Sequence, residues 1–123
     1  MATIAPTVSE IAGDNSVRLV SWALLTTTNS DGAPAEWTAW ADRCVQVIGT
    51  FGAGGSVSVE GSNDGTNWAI LNNAQGTAAT FTAAGIKQVV ELPRYMRPHV
   101  TAGDGTTSLT VSLVLRRAQP IRA

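Results

Sequence analysis

Titratable chemistry is scarce in this sequence, which holds one cysteine, one histidine and one tyrosine. A zinc site needs three or four Cys, His or carboxylate ligands, more than one Cys and one His supply. One cysteine allows no intramolecular disulfide, so the chain is expected to be made in a reducing cytoplasm. Charge is thin as well: 14% of residues are charged, against roughly 25% in an average soluble domain. Eight Lys and Arg against nine Asp and Glu leave a formal net charge of −1. That balance excludes a basic nucleic-acid-binding domain, an acidic disordered chain and a coiled coil. No stretch reaches the roughly eighteen apolar residues of a membrane-spanning helix. The start, Met1 to Glu10, lacks a basic region followed by a continuous apolar one, so no secretory signal is expected.

What remains is 123 residues, 44% of them hydrophobic, with 12 glycines and many Thr, Ser and Ala. This length suits one domain with its own core. Ser108 to Arg116 reads S-L-T-V-S-L-V-L-R, placing Leu109, Val111, Leu113 and Leu115 on one face of a strand. Val45, Val47, Gly49 and Phe51 repeat the alternation, and so do Val57 and Val59. Gly52-Ala53-Gly54-Gly55, between those runs, reads as a hairpin connection. Asp64-Gly65 predicts a second hairpin, and Gly103-Asp104-Gly105 a third turn feeding the final strand. Ile86 to Leu92 and Tyr95 to Thr101 read as strands around Pro93. Val17 to Leu25 reads as the first core strand, with its inward face ambiguous. Ala33 to Ala41 suits one helical turn or an irregular strand. About seven or eight short strands, with turns every eight to twelve residues, predict an all-β antiparallel β-sandwich or small barrel. The domain is expected over residues 16–116, with an N-terminal arm at 1–15 and a C-terminal tail at 117–123. Either end would fray or order only against a neighbouring subunit.

Candidates for chemistry have plain structural readings. Cys44, in the strand-like stretch Arg43-Cys-Val-Gln-Val47, reads as a small buried apolar residue rather than a reactive thiol. His99, the single imidazole, reads as a strand-face residue turned to solvent or an interface. Asp31, Asp64 and Asp104 each precede a glycine, as turns prefer. No Asp-x-Asp-x-Asp calcium loop occurs, and Gly52 to Gly55 lacks the lysine and helix of a phosphate loop. No catalytic residue, metal or cofactor is therefore expected, and the chain does not read as an enzyme. Trp22 and Trp68 read as core. Trp37 and Trp40 would either cap one end of the sandwich or present aromatic surface that stacks on a sugar or fills a protein–protein pocket.

Charge is uneven along the chain. Residues 87–123 hold six basic residues against two acidic, a balance of +4, and the first 86 residues balance at −5. Seven of the eight basic residues are arginine, the residue of planar, partly desolvated contacts.

Two resemblances follow from particular stretches. Gly61-Ser-Asn-Asp-Gly-Thr-Asn-Trp68 resembles a hairpin of discoidin-like carbohydrate-binding modules, in which Asp64-Gly65 would make the turn and Trp68 pack beneath it. More widely, Glu60 to Gly65, Arg94-Tyr-Met-Arg-Pro98, and Thr101 to Gly105 through Arg116-Arg117 resemble small virion proteins of tailed bacteriophages. Among those, jelly-roll capsid cement or decoration proteins are the most similar. The resemblance implies a jelly-roll-like sandwich that binds the major capsid protein on the capsid surface and associates with itself as a homodimer or homotrimer. It implies no nucleic-acid or membrane partner, and synthesis in the host bacterial cytoplasm. Interface candidates under that reading are Trp37, Trp40, Arg94, Arg97, Arg116 and Arg117. The alternatives are a carbohydrate-binding module and a tail or head–tail connector component.

Overall fold

The structure is a computed structural model that describes residues 3–11, 16–36 and 40–117. Among them are nine strands: β1 (Thr7–Glu10), β2 (Val17–Leu25), β3 (Asp42–Thr50), β4 (Ser56–Ser62), β5 (Ala69–Ile70), β6 (Thr80–Phe81), β7 (Gly85–Val89), β8 (Tyr95–Ala102) and β9 (Ser108–Arg116). They form two antiparallel sheets. One has the order β1-β2-β9-β3-β7; in the other, β4 pairs with β8 on one side and with β5 and β6 on the other. The chain is an all-β sandwich, and the short strands β5 and β6 raise the count above the eight expected.

The far edge of β8 is covered by an extended ribbon, Ser30 to Ala35. Ala35 and Met96 exchange backbone hydrogen bonds of 2.8 and 3.0 Å, Gly32 N donates to Pro98 O, and Val100 N donates to Ser30 O. Pro98 has no N–H to return, so the ribbon pairs at separate points rather than as a continuous ladder. With this ribbon counted as a strand, successive strands cross from sheet to sheet except between β1 and β2 and along β4, β5 and β6.

The core follows the alternation read from the sequence. Leu109, Val111, Leu113 and Leu115 are all buried, and Val45, Val47, Val57 and Val59 meet them between the sheets. In β2 the ambiguity has a physical cause. Leu24 sits at φ 60° and the pairing with β9 shifts between Trp22 and Leu25, so a bulge turns Leu25 inward one residue late.

One turn differs from expectation. Gly52 to Gly55 joins β3 to β4, which lie in different sheets, so it is a crossing rather than a hairpin. The Asp104-Gly105 turn makes the same crossing from β8 to β9. The two crossings clasp each other. Asp104 Oδ2 accepts from Ala53 N at 2.9 Å, and Thr107 Oγ1 donates to Phe51 O at 2.7 Å. The Thr106 hydroxyl, then Ala53 N–H and Thr106 N–H, hold the Asp104 carboxyl down at about 2. A carboxyl depressed in the folded state stabilises above its unfolded value near 3.8, and that contribution is lost as pH falls through about 2. Asp104→Asn is expected to lower the melting temperature at pH 7, with the gap to the unsubstituted protein closing as pH falls from 4 to 2. Calorimetry across that range measures both effects. A constant gap would show that the clasp does not work through the carboxylate.

The N-terminal segment also departs from expectation. Residues 3–11 lie on the sandwich rather than projecting as an arm. Ile4 N donates to Asp31 O and Ala33 N to Ile4 O, after which Thr7–Glu10 pair with β2 from Ser21 to Arg18. This segment therefore links the ribbon edge of one sheet to the β2 edge of the other. Residues 1–2, 12–15 and 118–123, including most of the expected tail, lie outside the described residues.

Candidate interaction surfaces

On β8, alternation sends Met96, Pro98 and Val100 into the core and Tyr95, Arg97 and His99 onto the outer face. Glu60 of β4 lies in register with Arg97, and Arg97 Nε donates to Glu60 Oε1 at 3.0 Å. Nη1 of Arg97 is 3.8 Å from Asp31 Oδ2, and its guanidinium carbon stands 4.1 Å from the centre of the Trp68 ring. Asp31 also pairs with His99 Nδ1 through its other oxygen. Nearby, Arg94 pairs with Glu36 and lies over the Tyr95 ring at 4.9 Å. The Glu36 hydrogen bond, followed by its negative charge, raises the pKa of the Arg94 guanidinium. Trp68 is thus half-buried under Arg97 rather than a core residue.

Ser58 is in register with His99, so a serine, a histidine and an aspartate meet on this face. Ser58 is buried and its hydroxyl bonds the Thr80 hydroxyl at 2.9 Å. Nucleophilic catalysis needs that hydroxyl on the imidazole instead.

A second group lies at the end where β2 begins and β9 finishes. Trp40 is 9% exposed, with the guanidinium carbons of Arg18 and Arg117 at 5.3 and 5.2 Å from its ring centre. Arg43, only 3% exposed, donates to Trp40 O at 2.9 Å and to Met96 Sδ at 2.9 Å, and burial lowers its pKa. Arg116 is exposed at this end, in register with Val17 and Asp42. The six interface candidates therefore separate. Arg94 and Arg97 belong to the β8 face, while Trp40, Arg116 and Arg117 gather at one end. Trp37 lies outside the described residues. Arg94, Arg97 and Trp40 are already engaged by this chain's own side chains. Arg116 has no ion-pair partner among the described residues.

A cleft of about 380 Å³ opens between the β4–β5 hairpin and the segment before β8, lined in part by Gly61, Asn63, Asn67, Leu71, Glu91 and Pro93. The carboxylate that lines it, Glu91, and that of Asp64 in the adjacent turn both serve the fold. Glu91 accepts from Asn72 N and Nδ2 at 2.6 and 2.7 Å, and these bonds lower its pKa. Asp64 accepts from the N–H groups of Thr66 and Asn67 at 2.8 Å, the Asn67 amide and the Ser62 hydroxyl, which hold it well below the usual carboxylate range. Among the described residues, no three His, Cys, Asp or Glu side chains converge as a metal site would require.

The surface that the sequence analysis missed is the outer face of the five-stranded sheet. Its successive rows are Ser9, Leu19, Val114, Cys44 and Gln88, then Thr7, Ser21, Ser112, Gln46 and Ile86, then Thr110 and Ile48. None of these is charged. Ile48 and Ile86 are 52% and 63% exposed, and Cys44 is half-buried here rather than in the core. The charges on this face, Asp42 and Arg116, face each other at one end. A usable signal was present: the alternate positions of Ser108 to Arg116 read S-T-S-V-R, without the Lys and Glu usual on a solvated strand face.

The sequence matches no family model and no curated protein. Its fold is similar to the crystal structure of the SPBc2 prophage-derived protein YomS, with a TM-score of 0.57 over 80% of this chain and 93% of that one. The neighbour comes from a prophage. Sequence identity is 10%, so the likeness is one of fold.

Proposed function

We propose that this chain is a bacteriophage virion structural protein, a cement or decoration subunit that binds the assembled shell of the major capsid protein. The observation that carries the reading is the fold shared with a prophage-derived protein across most of both chains. The engagement of the serine, histidine and carboxylates in the fold's own hydrogen bonds supports a role exerted through surfaces. A subunit that binds only the assembled lattice stabilises it by mass action. The end carrying Arg116 and Arg117 is the natural shell contact, because Arg116 is exposed and arginine pairs planar carboxylates bidentately. The same features suit a tail or connector subunit, and location in the particle separates the two. A glycan-binding role needs an open aromatic face, whereas Arg97 covers that of Trp68.

The test adds purified protein to particles assembled without it and follows the temperature of genome release. Release is expected to move upward and saturate. Arg116→Ala combined with Arg117→Ala is expected to require about tenfold more protein for the same shift, since contact arginines typically cost more than about 1 kcal/mol on truncation. Absence of binding to particles would remove the reading.

A further inference from the structure

We propose that two copies of this chain associate face to face through the outer surface of the five-stranded sheet. The inference is independent of the virion reading, since it rests on this face alone. Around it, charge is distributed normally: the β8 face carries Asp31, Glu60, Arg97 and His99. The β2-β9-β3-β7 face instead runs through three rows of Ser, Thr, Gln, Cys and aliphatic side chains without a charge. Ile48 and Ile86, diagonal neighbours on β3 and β7, add exposed aliphatic area beside the Leu19–Val114–Cys44 row.

Three physical points favour a second copy as the occupant. A two-fold interface puts the same patch on both sides, so a charged face would oppose its own sign, and a neutral one carries no such penalty. The small outward residues Ser21, Ser112 and Thr110 let two sheets approach to the ~10 Å of aligned sheet packing. The area is also adequate. The 36 residues of the five strands, at about 3.4 Å per residue and 4.8 Å per strand, cover about 600 Å². Standard interfaces bury about 600 to 1,000 Å² per partner. Asp42 and Arg116, at one end of each face, would sit at the rim, where charge belongs.

Sedimentation equilibrium between about 1 and 100 μM tests the proposal. The expected result is reversible dimerisation, with twice the 12.8 kDa chain mass at the upper end. Ser112→Arg, which places a cation at the centre of both faces, is expected to weaken the dimer at least 100-fold. Gln75→Arg, on an exposed loop elsewhere, is expected to leave it unchanged. A second readout needs no variant: Cys44 on the same face is expected to react more slowly with a thiol reagent as wild-type concentration rises. A monomer at 100 μM, a trimer, or a Cys44 rate independent of concentration overturns the proposal. So does a Ser112→Arg chain that folds and still forms the dimer.

Discussion

Gly55→Ala is expected to destabilise the protein by at least about 3 kcal/mol, whereas Gly54→Ala, one residue earlier, costs only about 1–2 kcal/mol. The contrast comes from what each added methyl would meet. At Gly55 the new carbon would lie 1.9 Å from the Phe51 carbonyl oxygen and 2.6 Å from its carbon, so backbone must move. That carbonyl already accepts the Thr107 hydroxyl, so moving it also disturbs the clasp between the two sheet crossings. At Gly54 nothing lies within 4 Å of the added carbon, and the cost is the left-handed backbone at φ 65° alone. Urea unfolding of the two variants beside wild type measures the difference. Equal losses would mean that the crossing relaxes freely and does not hold the sheets in place.

Trp22→Ala is the second large effect, about 3–5 kcal/mol out of a stability that for such domains totals about 5–15 kcal/mol. Trp22 is 1% exposed at the centre of β2, and its Nε1 donates to Ala33 O at 2.9 Å, tying the five-stranded sheet to the ribbon beside β8. The ring also packs where Gly32 leaves room: a methyl there would come within 2.6 Å of Trp22 Cδ1 and 2.5 Å of Pro98 Cδ. Truncation therefore opens a cavity and leaves the Ala33 carbonyl without its partner. The melting temperature is expected to fall by about 10 to 25 °C. A fall under about 5 °C would mean that the core collapses around the site and that Trp22 is not its keystone.

How far the sequence discloses this structure depends on the range of the interaction concerned. Strand β9 was legible to the residue, because its inward and outward positions differ in kind and alternate without interruption. In β2 the same rule fails at Leu24, where a bulge without a glycine to mark it moves Leu25 inward. Gly52 to Gly55 was recognisable as a turn, but whether it closes a hairpin or crosses between sheets is decided by β3 pairing with β9, far along the chain. The same applies to the arginines. Arginine enrichment was visible, but the commitment of Arg97 to Glu60, Asp31 and Trp68 depends on β4, β8 and the ribbon coming together. The uncharged sheet face was present in the alternate residues of β3 and β9, and its significance became clear only once β7 was placed beside them.

Density in the intact particle tests the account most directly. If the proposed function holds, a cryo-EM reconstruction of the particle that carries this chain's gene is expected to show the sandwich in a repeated position on the shell, seated by the end that carries Arg116 and Arg117. Purified particles in which neither the reconstruction nor quantitative mass spectrometry detects the chain would contradict it.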